Sequence, residues 1–215
     1  MPRGLFITGT DTGVGKTVVS ALLTLNLPGS WSYWKPIQSG MPPLAPSTDR
    51  ADVAAWTGLP PERLLPEAFR LALPASPHVS AAAENVTIAM SALARPGTAG
   101  PLIVEGAGGI LVPINGHETM LDLMAALAFP VVLVTRTALG TINHTLLSLA
   151  ALRQRGLTIA GLVLNGEPVP TTTATLRAWG GVPLLAELLP LAAVTPPTLT
   201  DAYTRSFNRW SPASD

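Results

Sequence analysis

Short apolar runs alternate along this chain with longer segments of helical period, a pattern that predicts a parallel sheet flanked by helices. Residues 5–8 read as a buried strand, and 16–27 as a helix whose apolar positions include Val19, Leu22, Leu23 and Leu25. Residues 31–37 predict a second strand, 42–46 a proline-rich loop and 50–57 a helix. Five prolines between residues 59 and 77 predict irregular chain or short pieces there. A helix is expected at 86–93, then a strand at 102–105 entering a glycine-rich turn at 106–109, and a helix at 121–127. The second half continues with a strand at 131–135, a helix at 141–155, a strand at 159–164, a helix at 171–179 and a short strand at 182–185. One more helix is expected beyond Thr198. No repeat or domain-sized linker interrupts this order. The expected fold is one doubly wound α/β domain over residues 1–215, with a mostly parallel sheet and a P-loop NTPase-like arrangement. Ligands of such sheets sit beyond the carboxyl ends of the strands, so the residues that follow strands carry the functional information.

Composition narrows the function classes. The 215 residues carry 13 basic and 13 acidic side chains, so the formal net charge is zero, and only 12% of residues are charged. Soluble domains usually reach roughly 25%. Nothing in this balance forms the electrostatic footprint of a nucleic-acid binder. No cysteine is present, which excludes disulfides, thiolate metal sites and a cysteine nucleophile in this chain and fits a reducing, cytoplasmic setting. The N-terminal segment has no apolar run of signal-peptide length and reads as mature protein. The most apolar stretch, residues 120–134, is shorter than the roughly 20 residues of a membrane helix and is interrupted by Asp122 and Pro130. No membrane partner is expected. So little surface charge suggests apolar surface covered by a second copy, a homo-oligomer.

The first chemical signal is GTDTGVGKT at residues 9–17, directly after the first strand and opening the first helix. Gly13 and Gly15 allow positive φ and close backbone approach, so successive N–H groups can surround a phosphate at a helix N-terminus. Lys16 would reach the β and γ phosphates and the Thr17 hydroxyl would ligate Mg²⁺. The strict loop pattern places its first glycine at position 10, where this chain has Thr10 with Gly9 one place earlier. Nucleoside triphosphate binding follows, without the reaction being named.

The second signal is KPIQSG at residues 35–40, ending the second strand. Lys16 and Lys35 are the only lysines among thirteen basic residues. In an arginine-favouring chain, a lysine here points to a place where a compact ammonium is needed and a planar guanidinium does not fit. The third is VEGAGG at residues 104–109, with Glu105 at the end of an apolar strand. A carboxylate buried there requires a metal, a cation or water to compensate it. Mg²⁺ takes few protein oxygens beside phosphate and water, which matches Thr17, Glu105 and one further carboxylate, Asp49 or Asp52. Asp49, directly before the helix at 50–57, is also well placed as an N-cap.

With LGTINHT at 139–145, VLNGEP at 163–168 and VPLLAELLP at 182–190 added in this order, the chain resembles the dethiobiotin synthetases as far as about residue 190. The resemblance implies an ATP- and Mg²⁺-dependent cyclo-ligase of biotin synthesis that forms C–N bonds. In that family 7,8-diaminononanoate and CO₂ form a carbamate, the carbamate oxygen attacks the ATP γ-phosphate, and the second amine displaces phosphate. By resemblance, Thr10, Asp11, Gly13, Val14, Gly15, Lys16 and Thr17 hold the nucleotide phosphates. Lys35 holds the carbamate, with Thr12 and Ser39 nearby and Ala107 and Gly108 lining the substrate. Thr17, Asp52 and Glu105 match the metal ligands, Asp52 being favoured because it leads straight into the apolar-periodic stretch 53–56. Asn165 matches the residue that reads the adenine edge, with backbone around Pro183, Leu184 and Leu185 flanking the base. Gly140, Thr141, Ile142 and Asn143 match a segment that contacts substrate on the partner subunit of a homodimer. Two departures stand out. Gly13 occupies a place where many members have glutamate, and Ala186-Glu187 stands where the family has Gly-Glu. His78 and His144 read as structural rather than catalytic.

Other readings compete. Spatial-regulator ATPases carry a lysine at the start of the loop where this chain has Asp11, and glutamine-dependent amide synthases need a cysteine that is absent here. A nucleotide-binding module without turnover would require neither Lys35 nor the VEGAGG carboxylate.

Overall fold

The computed structural model describes residues 3–41, 48–207 and 210–212. The expected proline-rich loop at 42–46 lies outside the described residues. The chain alternates strand and helix: β1 (Gly4–Gly9), α1 (Lys16–Asn26), β2 (Ser32–Trp34), β3 (Ile37–Gln38), α2 (Asp49–Thr57), β4 (Leu64–Leu65), β5 (Phe69–Arg70) and α3 (Pro77–Ala83). It continues through β6 (Leu102–Gly109), α4 (Met120–Leu127), β7 (Val131–Arg136), α5 (Thr141–Gln154), β8 (Ile159–Asn165), α6 (Pro170–Gly180), β9 (Leu184–Leu188) and α7 (Pro196–Ser206). Seven strands form one sheet in the order β4-β2-β6-β1-β7-β8-β9. All its ladders are parallel.

Period-two alternation along the central strands divides the core between the two faces of the sheet. Leu5 and Ile7 of β1, with Val132 and Val134 of β7, pack on the face covered by α1 and α7. Phe6, Val131 and Leu133 face the other way, toward the layer containing Met124, Leu149 and Leu176. Strands buried on both faces read as continuous apolar runs, which is why residues 5–8 and 131–135 were legible as strands.

Four expectations need correction. The glycine-rich turn expected at 106–109 is instead the second half of β6, where Gly109 still pairs with Gly9. The strand expected at 31–37 pairs in the main sheet only over Ser32–Trp34. Pro36 lacks an N–H to donate, and the chain leaves the sheet there to pair Ile37 and Gln38 with Phe69 and Arg70 in a small second sheet. Lys35 is thereby left at the open carboxyl end of β2. The helix expected at 86–93 is only a 3₁₀ turn at Met90–Leu93, and the regular helix here is α3, which starts with Pro77 at its first position. Asn85 adopts a left-handed φ of 54° just after that helix. The β-branched run Val86, Thr87 and Ile88 then disfavours another helix, and Ile88 is buried. The last strand lies a little later than expected, at Leu184–Leu188.

Among the described residues, no helix is long and apolar enough to cross a membrane. The stretch 120–134 instead divides into α4 and β7. Asp122 caps α4 by accepting hydrogen bonds from the backbone N–H and the hydroxyl of Thr119, at 2.9 and 2.8 Å. Those bonds, backbone first, with Arg155 beside them, hold its carboxyl below the ordinary value. A depressed folded value means that the stabilisation is complete above the unfolded pKa and is lost as the pH falls through the folded one. Asp122→Ala should therefore cost about 1 kcal/mol in urea unfolding at pH 7. The difference from the parent should close as unfolding is repeated below about pH 4.

Candidate active site

The loop between β1 and α1 is shaped by two glycines in the left-handed region, Gly13 (φ 72°) and Gly15 (φ 98°). Gly15 sits at the N-cap of α1, which has no side-chain cap and no acidic residue in its first turn. The first N–H groups of the helix are thus left for an anion, assisted by the helix dipole. A Cβ on Gly15 would come within 2.1 Å of the Asn165 amide nitrogen. That amide donates to the Val14 carbonyl at 2.8 Å and fastens the loop to the end of β8. Lys16 is buried and folds back to donate to the Asp11 carbonyl at 2.9 Å. Burial, reinforced by the nearby Lys35 and opposed by Glu105, pushes the Lys16 ammonium down to about 8. A polyphosphate against this loop would supply the counter-charge that burial removes.

Beside the loop lies a buried charge cluster. Glu105, on β6 and fully buried, accepts from the Thr17 hydroxyl at 2.9 Å and from Lys35 Nζ at 3.0 Å, both on Oε1. Its Oε2 accepts from the Tyr33 hydroxyl at 3.0 Å. Lys35 also pairs with Asp49 Oδ2, and Thr17 donates to Asp49 Oδ1 at 3.0 Å. Burial opposes the charge on Lys35, but attraction to Glu105 and Asp49 prevails and holds its value above that of an ordinary lysine. Asp49 responds in the opposite sense: against the cost of burial, Lys35 and hydrogen bonds from Thr17 and Gln38 hold it below the usual carboxylate range. Sequence reading asked what cation compensates Glu105, and in the fold Lys35 does so.

The expected role of Asp52 is not supported by this geometry. Asp49 is the carboxylate that meets Thr17 and lines the cavity, whereas Asp52 lies nearly one turn further along α2 and outside it. The cause is the helix start. Thr48, not Asp49, is the N-cap, with its hydroxyl accepting from the Ala51 N–H at 3.0 Å. Asp49 is freed from capping and takes the first helical position. Gln38 fixes it there, its Oε1 accepting from the Asp49 N–H at 3.2 Å while its amide donates to the Ser39 carbonyl at 3.1 Å. Thr17, Asp49 and Glu105 offer only hard oxygen donors, and among the described residues no cluster of three or more His, Cys, Asp or Glu side chains occurs. Two carboxylates and a hydroxyl beside a phosphate loop fit Mg²⁺, which takes few protein ligands.

These groups share a cavity of about 700 Å³ whose lining includes Thr12, Lys16, Lys35, Ser39, Ala107 and Gly108. The other expected residues lie elsewhere. Asn165 borders a smaller cavity of about 180 Å³ together with Gly166, Leu189, Pro190 and Leu191. Pro183, Leu184 and Leu185 do not line that cavity. Pro183 precedes β9 and Leu184 and Leu185 begin it, with Leu184 paired to Leu162, whereas Asn165 pairs with Leu188. Parallel pairing thus puts residues 189–191 next to Asn165. Gly140 is the left-handed N-cap of α5. Thr141 is buried, hydrogen-bonded to the Thr135 hydroxyl and the Arg136 carbonyl at 2.6 Å each. Ile142 is half-buried and Asn143 exposed, both outside the main cavity. Thr10 joins the same hydroxyl chain, donating to Thr135 at 3.2 Å. His78 meets Ser76 Oγ through Nδ1 at 3.0 Å.

Sequence reading gave no role to Arg136, Gln38 or Tyr33. Arg136 braces the phosphate loop, donating to Asp11 Oδ2 and to the Thr12 carbonyl at 3.0 Å each. Its place at the carboxyl end of β7 was the one available signal.

Comparison with known proteins agrees with this architecture. A family model described as an AAA domain matches residues 3–198. The ATP-dependent dethiobiotin synthetase BioD of Rhodopseudomonas palustris strain BisB5 is 47% identical over 208 residues, covering 97% of this chain and 96% of that protein. The biotin biosynthesis bifunctional protein BioCD of Bordetella avium is 49% identical over 195 residues, and the match spans 90% of this chain but 41% of that longer protein. Among solved structures, a ParA family ATPase from Chlorobium tepidum superposes with a TM-score of 0.58 at 13% identity, covering 93% of this chain and 96% of that one. That likeness is one of fold.

The geometry ranks the two aspartates. Asp49→Asn should raise the Mg²⁺ concentration needed for half-maximal turnover roughly tenfold or more, and Asp52→Asn should leave it within about twofold. A magnesium titration of both variants checks the order.

Proposed function

The chain belongs to the ATP-dependent dethiobiotin synthetase family, and we infer that its site closes a ureido ring on 7,8-diaminononanoate with CO₂ at the expense of ATP. The observation that carries this reading is the convergence of the phosphate loop, Lys35 and the Thr17, Asp49 and Glu105 oxygens on one cavity. A module that only binds nucleotide has no use for a second buried ammonium aimed at the phosphate side. Asp11 stands where the spatial-regulator ATPases have their signature lysine, so the shared fold does not carry their function here.

Chemically, one amine takes up CO₂ as a carbamate, a carbamate oxygen attacks the γ-phosphorus, and ADP leaves. The second amine attacks the carbonyl carbon of the resulting carbamic-phosphoric anhydride, loses a proton, and phosphate departs. Two anions must meet in the first transfer, so fixed positive charge at the meeting point provides the catalysis. Lys16 reaches the transferred phosphate from the loop. Lys35, kept charged by its two carboxylates, lies on the wall where the carbamate would rest, near Thr12 and Ser39. Mg²⁺ held by Thr17, Asp49 and Glu105 would neutralise the β and γ phosphate oxygens. We assign the base to the cleft beside Asn165, flanked by residues 189–191. Ala107 and Gly108 line the diamine path.

A homodimer completes the proposal. Leu139 is fully exposed immediately before the α5 N-cap, Leu147 is 62% exposed, and Asn143 lies one turn before Leu147 on the same face. An apolar face bordering Gly140 to Asn143 suits a second copy whose substrate that segment would touch. The cysteine-free composition is in keeping with a cytoplasmic setting.

Phosphate release from ATP should depend on diamine and bicarbonate together. Full-rate release without diamine, or none with it, would count against the assignment. Lys35→Gln should lose turnover by tens-fold or more while still binding ATP, in line with the roughly 2.7–4 kcal/mol of one lost charge-stabilising donor. If the site is completed across a dimer, mixing Lys35→Gln and Asn143→Ala subunits should recover part of the activity; a mixture no better than its components would argue for a self-contained subunit.

A further inference from the structure

Tyr33 is an unusual occupant of its site. It lies in the middle of β2, fully buried, in a cluster with Ile103, Val53 and Leu64. A phenylalanine would fill that apolar volume without burying a hydroxyl, which is costly unless it is bonded. The β2–β6 register pairs Tyr33 with Ile103, so Glu105 lies two residues further along the same face. Across that diagonal the Tyr33 hydroxyl donates to Glu105 Oε2 at 3.0 Å. The other oxygen, Oε1, takes both Thr17 and Lys35. The two oxygens of one carboxylate are thus divided between the core and the cavity.

We propose that Tyr33 is a positioning residue for Glu105: by occupying Oε2 from the core side, it fixes the carboxylate plane with Oε1 turned to Thr17, the direction from which it meets a divalent cation. The inference rests on the metal role given above to Thr17, Asp49 and Glu105. A carboxylate anchored by one oxygen is restrained from rotating about its terminal bond, so less ordering of Glu105 is left to occur when the cation binds. Hydrogen bonds of this kind behind a ligating carboxylate typically contribute about 10- to 100-fold in metal affinity. Tyr33 touches neither the cation nor the substrate in this role, and its effect passes wholly through Glu105.

The test uses the full chain saturated with ADP and titrated with Mn²⁺, free Mn²⁺ being followed by its electron paramagnetic resonance signal. Tyr33→Phe should weaken Mn²⁺ binding roughly tenfold, while ADP affinity measured in a metal chelator stays unchanged. In the Glu105→Gln background, adding Tyr33→Phe should produce no further loss. Unchanged Mn²⁺ affinity in Tyr33→Phe, with Glu105→Gln clearly weakened, would overturn the positioning role and leave the metal site standing. Unchanged affinity in Glu105→Gln would overturn the metal site itself and this inference with it. An equal loss of ADP affinity with and without metal would assign Tyr33 to the folding of β2 and overturn the inference as well.

Discussion

A carboxylate with no exposed surface lies midway along β6, the third strand from the sheet's edge, and the site is organised around compensating it. An unpaired Glu105 would cost several kcal/mol in such surroundings. It therefore draws in Lys35 from the neighbouring strand, Thr17 from the first turn of α1 and Tyr33 from the core. Asp49 enters because Lys35 and Thr17 serve it as well. The two acidic and two basic side chains around the cavity balance one another, so the cluster is tolerated in a low-dielectric setting. Breaking it by removing one partner leaves another charge buried and unpaired, which makes each member sensitive to substitution.

The phosphate loop is held by different means. Its backbone takes a left-handed φ at Gly13 and Gly15, with no room for a side chain at Gly15 beside Asn165, and it is secured from other strands by Asn165 through the Val14 carbonyl and by Arg136 through Asp11 and Thr12. The hydroxyl chain from Thr10 through Thr135 to Thr141 links the same loop to the start of α5. The phosphate loop and the segment assigned to the partner subunit are thus joined by hydrogen bonds, and Thr17 and Glu105 join the loop's helix to Lys35. Lys16 and Lys35 respond to this setting in opposite senses. Burial dominates for Lys16, while two adjacent carboxylates outweigh burial for Lys35. One ammonium is receptive to a polyanion, and the other is held in its charged form by its two carboxylates.

Most of the sheet was readable because strands buried on both faces have to be continuously apolar. Its failures share a cause. Residues 86–93 read as a helix from their apolar content, but Asn85 in a left-handed turn, the β-branched run at 86–88 and the burial of Ile88 take that chain along another course. The strand at 31–37 ends early because Pro36 cannot continue a ladder, and the last strand begins later than its apolar content suggests. Asp52 was favoured over Asp49 for a comparable reason. It leads straight into the apolar-periodic stretch 53–56, a local pattern, whereas the carboxylate that meets Thr17 is set by where α2 starts, with Thr48 as its N-cap.

The order of elements, the phosphate loop, the special standing of the two lysines and the need to compensate Glu105 were all determined by the sequence alone. Each follows from local rules: apolar period, glycine at positions of positive φ, and the cost of burying charge. Tertiary structure decided which groups meet. Lys35, Asp49 and Glu105 are 14 and 70 residues apart along the chain from one lysine, and only the β2–β6 register and the start of α2 place them within hydrogen-bond distance. Tyr33, Gln38 and Arg136 gained their roles in the same way. Such contacts depend on register and on how helices dock against the sheet, and those are settled by the packing of the whole core rather than by any one segment of the chain.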